Sequence, residues 1–126
     1  TCITILWVSA LASALVDNIP LVLAMIPLIK SIIPVFAVSE AARLGIDLTP
    51  ELTETLIVYP LYWSLALGAC LGGNGSLVGA SANVVIAQIA RKNNYALSFA
   101  RFTKTGFPVM ILSLVIATGY VLLRYF

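Results

Sequence analysis

The 126 residues are 61% hydrophobic and 10% charged, with a mean hydropathy of +1.07. A soluble domain carries about a quarter charged residues, so this chain cannot cover its apolar surface in water and reads as an all-α integral membrane protein in the lipid bilayer. A net charge of +2 without a basic, aromatic-studded run excludes nucleic acid, and the absence of His removes the commonest metal ligand and general base.

Residues 1–38 are apolar except for Asp17 and Lys30. As one helix they would run to about 57 Å, far beyond a bilayer core of about 30 Å. The interruption is Val16–Pro20: Asp17 and Asn18 favour turns and N-caps, and Pro20 pushes Ile19 away from helical geometry. A re-entrant helical hairpin over 1–38 with its break at 17–20 is expected. The alternative is one kinked span from about Ile3 to Ile29, with Pro27 and Pro34 as further kinks. Cys2 and Cys70 lie in apolar runs without metal-ligand spacing and read as small buried hydrophobes. The N-terminus has no basic region or cleavage pattern. The chain starts at Thr1 already inside an apolar run, as a piece of a longer protein would.

Residues 39–55 form a polar loop with Glu40, Asp47, Glu51 and Glu54 against Arg43. Residues 55–90 are uncharged and too long for one helix, yet too short for two spans around Gly72–Ser76. A discontinuous transmembrane helix over 56–90, broken at 72–76, fits. Arg91, Lys92, Arg101 and Lys104 then make 91–105 a cytoplasmic linker by the positive-inside rule, with 39–55 external. This linker has the amphipathic character of an interfacial segment. The final transmembrane helix covers 106–125, with Pro108 in its first turn and Tyr120, Arg124 and Tyr125 at the interface.

Non-helical backbone inside a bilayer is tolerated only where it is buried in protein or lines a cavity. Broken helices aim dipole ends and free carbonyls at ions. Asp17 is the one acid in an apolar stretch, a cation ligand or proton carrier unless it merely caps a helix. Asn18 adds an amide, and Pro20 fixes the turn. Gly72, Gly73 and Gly75 allow backbone angles other residues avoid, with Asn74 and Ser76 beside them. Ser81 and Asn83 follow, with Asn83 expected to face the same cavity as Asn74. Gly68/Gly72 and Gly75/Gly79 also have the small-xxx-small spacing of helix packing. A glycine-rich phosphate loop is excluded because no Lys follows.

The stretches Leu15–Ile29 and Ala66–Val85 resemble two motif regions of the ion transporter superfamily, in the branch of the arsenical pump membrane proteins, the P protein and the citrate-transporter-like permeases. The resemblance covers nearly the whole chain. It implies the C-terminal inverted repeat of a secondary transporter: hairpin, external loop, broken helix, linker, last helix. In dicarboxylate relatives a Ser-Asn-Thr hairpin tip and a proline-rich helix break bind Na+ and substrate. Here Asp17-Asn18 stands where Ser-Asn would be, and Gly72–Ser76 where the proline-rich break would be. Asn18 carries over, while the departures favour an arsenite, chloride or sodium/proton antiport chemistry.

The expectation is a secondary active permease in a cell (inner) membrane, working by alternating access on a small inorganic or organic ion. It has no resident cofactor or metal, and Na+ or H+ is the coupling ion. Transported Na+ would be held by Asn18 and Asn74. A missing N-terminal repeat and a homodimer partner are implied. The rival is a structural or assembly subunit using glycine-mediated helix packing. A membrane enzyme is disfavoured, since no acid–base pair is evident.

Overall fold

The computed structural model describes residues 1–126 and is entirely helical. Helix α1 is Cys2–Ser13, α2 Asn18–Leu44, α3 Pro50–Thr53, α4 Tyr59–Gly72, α5 Ser81–Lys92 and α6 Phe99–Tyr125. A π-helical turn, Glu54–Val58, joins α3 to α4, and a 3-10 turn, Gly73–Gly75, closes α4. The helical runs Asn18–Leu44, Pro50–Gly75 and Phe99–Tyr125 are each long and apolar enough to cross a membrane. The chain is therefore an all-α membrane protein.

The π turn has a local cause. Pro60 has no N–H and its ring crowds the carbonyl four residues back. Widening the preceding turn avoids that clash, and the Tyr59 N–H bonds to the Glu54 carbonyl instead.

Two apolar clusters hold the helices. Leu6, Ala10 and Ala14 of α1 pack with Met110, Leu114, Ala117 and Val121 of α6. Ile5 and Ile29 join Ile57, Leu61 and Leu65. Ile5 and Ile29 are equally far from Asp17 along the chain, so α1 and α2 fold back on one another. Helices α1 and α4 run parallel. Gly68 lies against Leu6 and Ser9, Gly72 against Ala10, and Gly75 against Ala14. Helix α6 runs antiparallel to both: Met110 meets Gly75, and the Trp7 indole N–H donates to the Thr118 hydroxyl at 3.1 Å.

Element boundaries differ from the sequence reading in four places. Helix α2 begins at Asn18, so Ile19 is helical and Pro20 sits in the first turn, where no N–H is missed. It continues to Leu44, where Gly45, in a left-handed conformation at φ 66°, ends it. The polar loop shrinks to residues 45–49, because Thr49 caps α3 by accepting from the Leu52 N–H. Helix α6 starts at Phe99, so Arg101 and Lys104 lie in its first turns and Pro108 in its interior. The amphipathic element is α5, not 91–104. Cys70 is exposed rather than buried, and Cys2 is half-buried.

Candidate functional site

Helix α1 ends in a tight turn. The N–H groups of Leu15 and Val16 both bond to the Ala12 carbonyl. Asp17 then takes an extended conformation (φ −51°, ψ 139°) at the N-cap position of α2. A capping side chain accepts from the N–H of the second or third helical residue. The third is Pro20, which has none. Asp17 makes no capping bond, and its Oδ1 is enclosed without any hydrogen-bond partner. Asn18 is half-buried, while Ile19 and Pro20 are exposed.

The second break follows the 3-10 turn. Ser76 (φ −147°, ψ 165°) and Ala80 (φ −149°, ψ 138°) are extended, and α5 restarts at Ser81. The non-helical segment is thus 76–80, and Gly72 is the last residue of α4. None of Gly72, Gly73 and Gly75 has a positive φ, so conformational freedom is not what these positions use. They serve close approach. A Cβ on Gly72 would strike the Ala10 backbone, with Cα at 2.5 Å. One on Gly75 would lie 2.5 Å from Met110 Sδ, and one on Gly79 would lie 2.9 Å from the Ser13 carbonyl oxygen.

This closeness brings the two breaks together. The Ser13 hydroxyl donates to the Ala69 carbonyl at 2.6 Å, and the buried Ser76 hydroxyl donates to the Ala14 carbonyl. Asn83 donates to the carbonyls of Gly73 at 2.9 Å and Ser76 at 3.1 Å. Its amide protons stitch α5 onto the end of α4, leaving Oδ1 as an acceptor. Asn74 is exposed and lines a different space, with Arg101 and Thr105 of α6. Asn74 and Asn83 therefore do not share a cavity. Ser81 is exposed at the first position of α5.

Ser13 was missed by sequence reasoning. Its signal is the small stripe Ser9, Ala10, Ser13, Ala14, which meets the glycine stripe of α4. Because α1 and α4 are parallel, their C-terminal ends coincide at the break. Each carries roughly half a negative charge from its aligned peptides, and the unpaired Asp17 carboxylate follows one of them. Asp17 also stands at the N-terminal end of α2, whose aligned peptides present a partial positive charge to it.

The sequence has relatives. The P protein of Mus musculus is 46% identical over 123 residues, which is 98% of this chain. An uncharacterized transporter of Synechocystis is 40% identical over 119 residues, 94% of the chain. A 46 kDa membrane protein of Mycobacterium leprae is 38% identical over 125 residues, 99% of the chain. By these similarities the chain matches the ion transporter branch that includes the P protein. It spans 13% of the length of the mouse P protein and about a quarter of the bacterial relatives (26% and 25%). No family model matches it. No solved structure matches it either. The aligned stretch contains both helix breaks, so what the two breaks form together lies inside the region shared with these relatives.

Proposed function

We propose that the chain is the ion-binding C-terminal part of a secondary active transporter that works by alternating access. The observation that carries this reading is the junction of the two helix breaks. The ends of the two breaks meet through Ser13, Ala14, Ser76 and Gly79, with Ala14 three residues along the chain from a carboxylate with no partner. Asp17 and Asn18 receive the coupling cation, Na+ or H+. Asn83 holds the second break in shape, and Ser76 ties it to the hairpin.

Depth supports the reading. Met110 packs on Gly75 and so marks the level of the break. The helical rise from Met110 to Arg101 is about 14 Å, and from Met110 to Arg124 about 21 Å. These basic residues then stand near the two edges of a core of about 30 Å, with the break near the middle. Lys30 fits the same frame. If Asp17 lies at mid-membrane, the rise to Lys30 is about 20 Å, which delivers it to the interface. Were α2 a simple span, Lys30 would sit near its centre, at a cost of about 2.5–3.5 kcal/mol. The hairpin reading puts residues 91–105 on the cytoplasmic side of a cell (inner) membrane and 39–55 outside.

Only 6% of the apolar window of α2 is buried. Its outer face is left for lipid, for an N-terminal repeat in the remaining length of the protein, or for a second copy. The family branch admits arsenite-type anions and sodium/proton exchange as the transported chemistry. Transport by the full-length protein in vesicles tests the site. Asp17→Asn is expected to abolish coupled flux and its pH dependence, and Asn83→Ala to reduce flux. Wild-type flux and pH dependence in both variants would refute the assignment.

A second reading has one observation in its favour. Gly68 and Gly72 do serve close helix packing, as a structural subunit would require. That contact is internal to the chain, however, and it leaves the enclosed Asp17 oxygen unexplained.

A further inference from the structure

The break has a second face. Asn74 turns away from the hairpin, and its carbonyl lies against Gly106, where a Cβ would collide with it. Beside it is a cavity of about 510 Å³ between the break and the first turns of α6, lined by Asn74, Leu97, Arg101, Phe102, Thr105 and Val109. Its polar groups are an amide, a hydroxyl and a guanidinium. The structure has one ion pair, Glu40 with Arg43, so Arg101 has no carboxylate partner. Nor does the surrounding chain offer one: from Thr55 to Phe126 there is no Asp or Glu, against Arg91, Lys92, Arg101, Lys104 and Arg124.

A guanidinium that only snorkels to the interface needs no polar wall beneath it. Here the wall exists. Arg101 stands at the mouth, Thr105 one turn deeper, and Asn74 at the break itself. Guanidinium, hydroxyl and amide N–H all donate, and the guanidinium adds a charge-assisted bond to a negative ion.

We propose that this cavity is an anion-binding site, in which Arg101, Thr105 and Asn74 hold a small oxyanion or halide on the opposite side of the break from the cation at Asp17. The break then separates the two charges, with Ser76 and Asn83 fixing the cation face and Asn74 reading the anion face. A lipid headgroup phosphate presents the same chemistry as a free anion, and the test separates them.

The test uses the full-length protein and two readouts. In nonionic detergent, thermal unfolding is followed while sodium chloride, phosphate or sulfate is titrated, for wild type, Arg101→Gln, Arg101→Lys and Thr105→Val. In phosphatidylcholine nanodiscs the same measurement is made with and without phosphatidylglycerol. The expected result is saturable stabilisation of wild type, weakened at least tenfold in Arg101→Gln and several-fold in Thr105→Val, with partial recovery in Arg101→Lys. Stabilisation by phosphatidylglycerol alone, lost in Arg101→Gln, supports the site and assigns it to a lipid phosphate. No saturable response to any probe overturns the proposal, as does an equal response in wild type and Arg101→Gln. Should Arg101→Gln fail to fold, an unchanged response in Thr105→Val overturns it. Flux in vesicles is measured in parallel, and only this arm rests on the transporter reading. Binding without flux defeats that reading and leaves the site, whereas flux without binding defeats the site alone.

Discussion

Replacing Gly72 by Ala is expected to destabilise the protein by about 1–3 kcal/mol, although helix propensity alone predicts the opposite sign. In a helix, Ala is favoured over Gly by about 1 kcal/mol. The structure reverses this. The new Cβ would stand 2.5 Å from Ala10 Cα and 2.7 Å from the Ala10 carbonyl carbon, both in the backbone of α1. Carbon atoms rest at about 3.5–4.0 Å, so α1 has to withdraw by roughly 1 Å. The Ser13–Ala69 hydrogen bond, 2.6 Å long, lies further along the same interface. The same withdrawal stretches it to roughly 3.6 Å, beyond a useful length. Overpacking costs about 1–3 kcal/mol. Losing this bond and the Ser76–Ala14 bond adds about 0.6 kcal/mol each in a membrane, which roughly offsets the propensity gain. Thermal unfolding of the full-length protein in detergent measures the sum. Gly119→Ala in α6 is the control, since nothing lies within 4 Å of its added Cβ; it should gain up to about 1 kcal/mol. If Gly72→Ala is as stable as wild type while Gly119→Ala behaves as expected, close approach is not the role of Gly72 and the argument fails.

Asn83→Asp keeps the size of the side chain but loses both donors to Gly73 and Ser76. It should lower the unfolding midpoint by the equivalent of about 1 kcal/mol and quicken proteolysis within 76–80, and unchanged cleavage there would count against a stitching role. Trp7→Phe removes the indole bond to Thr118 and trims the ring packed on the α1–α6 cluster; a loss of about 1–2 kcal/mol with normal flux is expected, and abolished flux would place Trp7 in the transport machinery. Lys30→Cys should react with a membrane-impermeant maleimide added outside, as the hairpin reading requires, whereas a thiol protected from both sides would indicate a simple span.

Much of the fold was legible because charge is so scarce in this chain. The uncharged run 55–90 is too long for one continuous helix and too short for two spans around its central glycines, so a broken helix follows from length and the place of the glycines. Asp17 stands out for the same reason. Boundaries were misread where charge stood in for loop: Arg101 and Lys104 lie in the first turns of α6, because a membrane helix runs on into the interface where basic side chains are solvated. Pro20 misled for a related reason. It is a breaker in a helix interior but costless in a first turn. The role of the glycines was least legible. A glycine that supplies unusual angles and one that admits a neighbouring backbone look alike in sequence, and only the partner, Ala10 for Gly72 or Ser13 for Gly79, distinguishes them. The stripe of small residues around Ser13 marks a packing face, but not its acceptor, because Ala69 lies on another helix.

The parallel arrangement of α1 and α4 connects packing to function. Antiparallel neighbours would cancel their dipoles. Parallel ones add them, so two negative helix ends meet at one level, each followed in the chain by the positive N-terminal end of α2 or α5. Three hydroxyl and amide donors, Ser13, Ser76 and Asn83, are spent on carbonyls at that level, those of Ala69, Ala14, Gly73 and Ser76. They offset part of that negative charge and hold the ends together, while Asp17 is left without a donor. On the proposed reading, a cation would complete the neutralisation, so the junction should be tightest when occupied and loosest when empty. On that reading, a packing that depends on its occupant would serve alternating access, because the ion that binds would also decide which packing of the two breaks is stable.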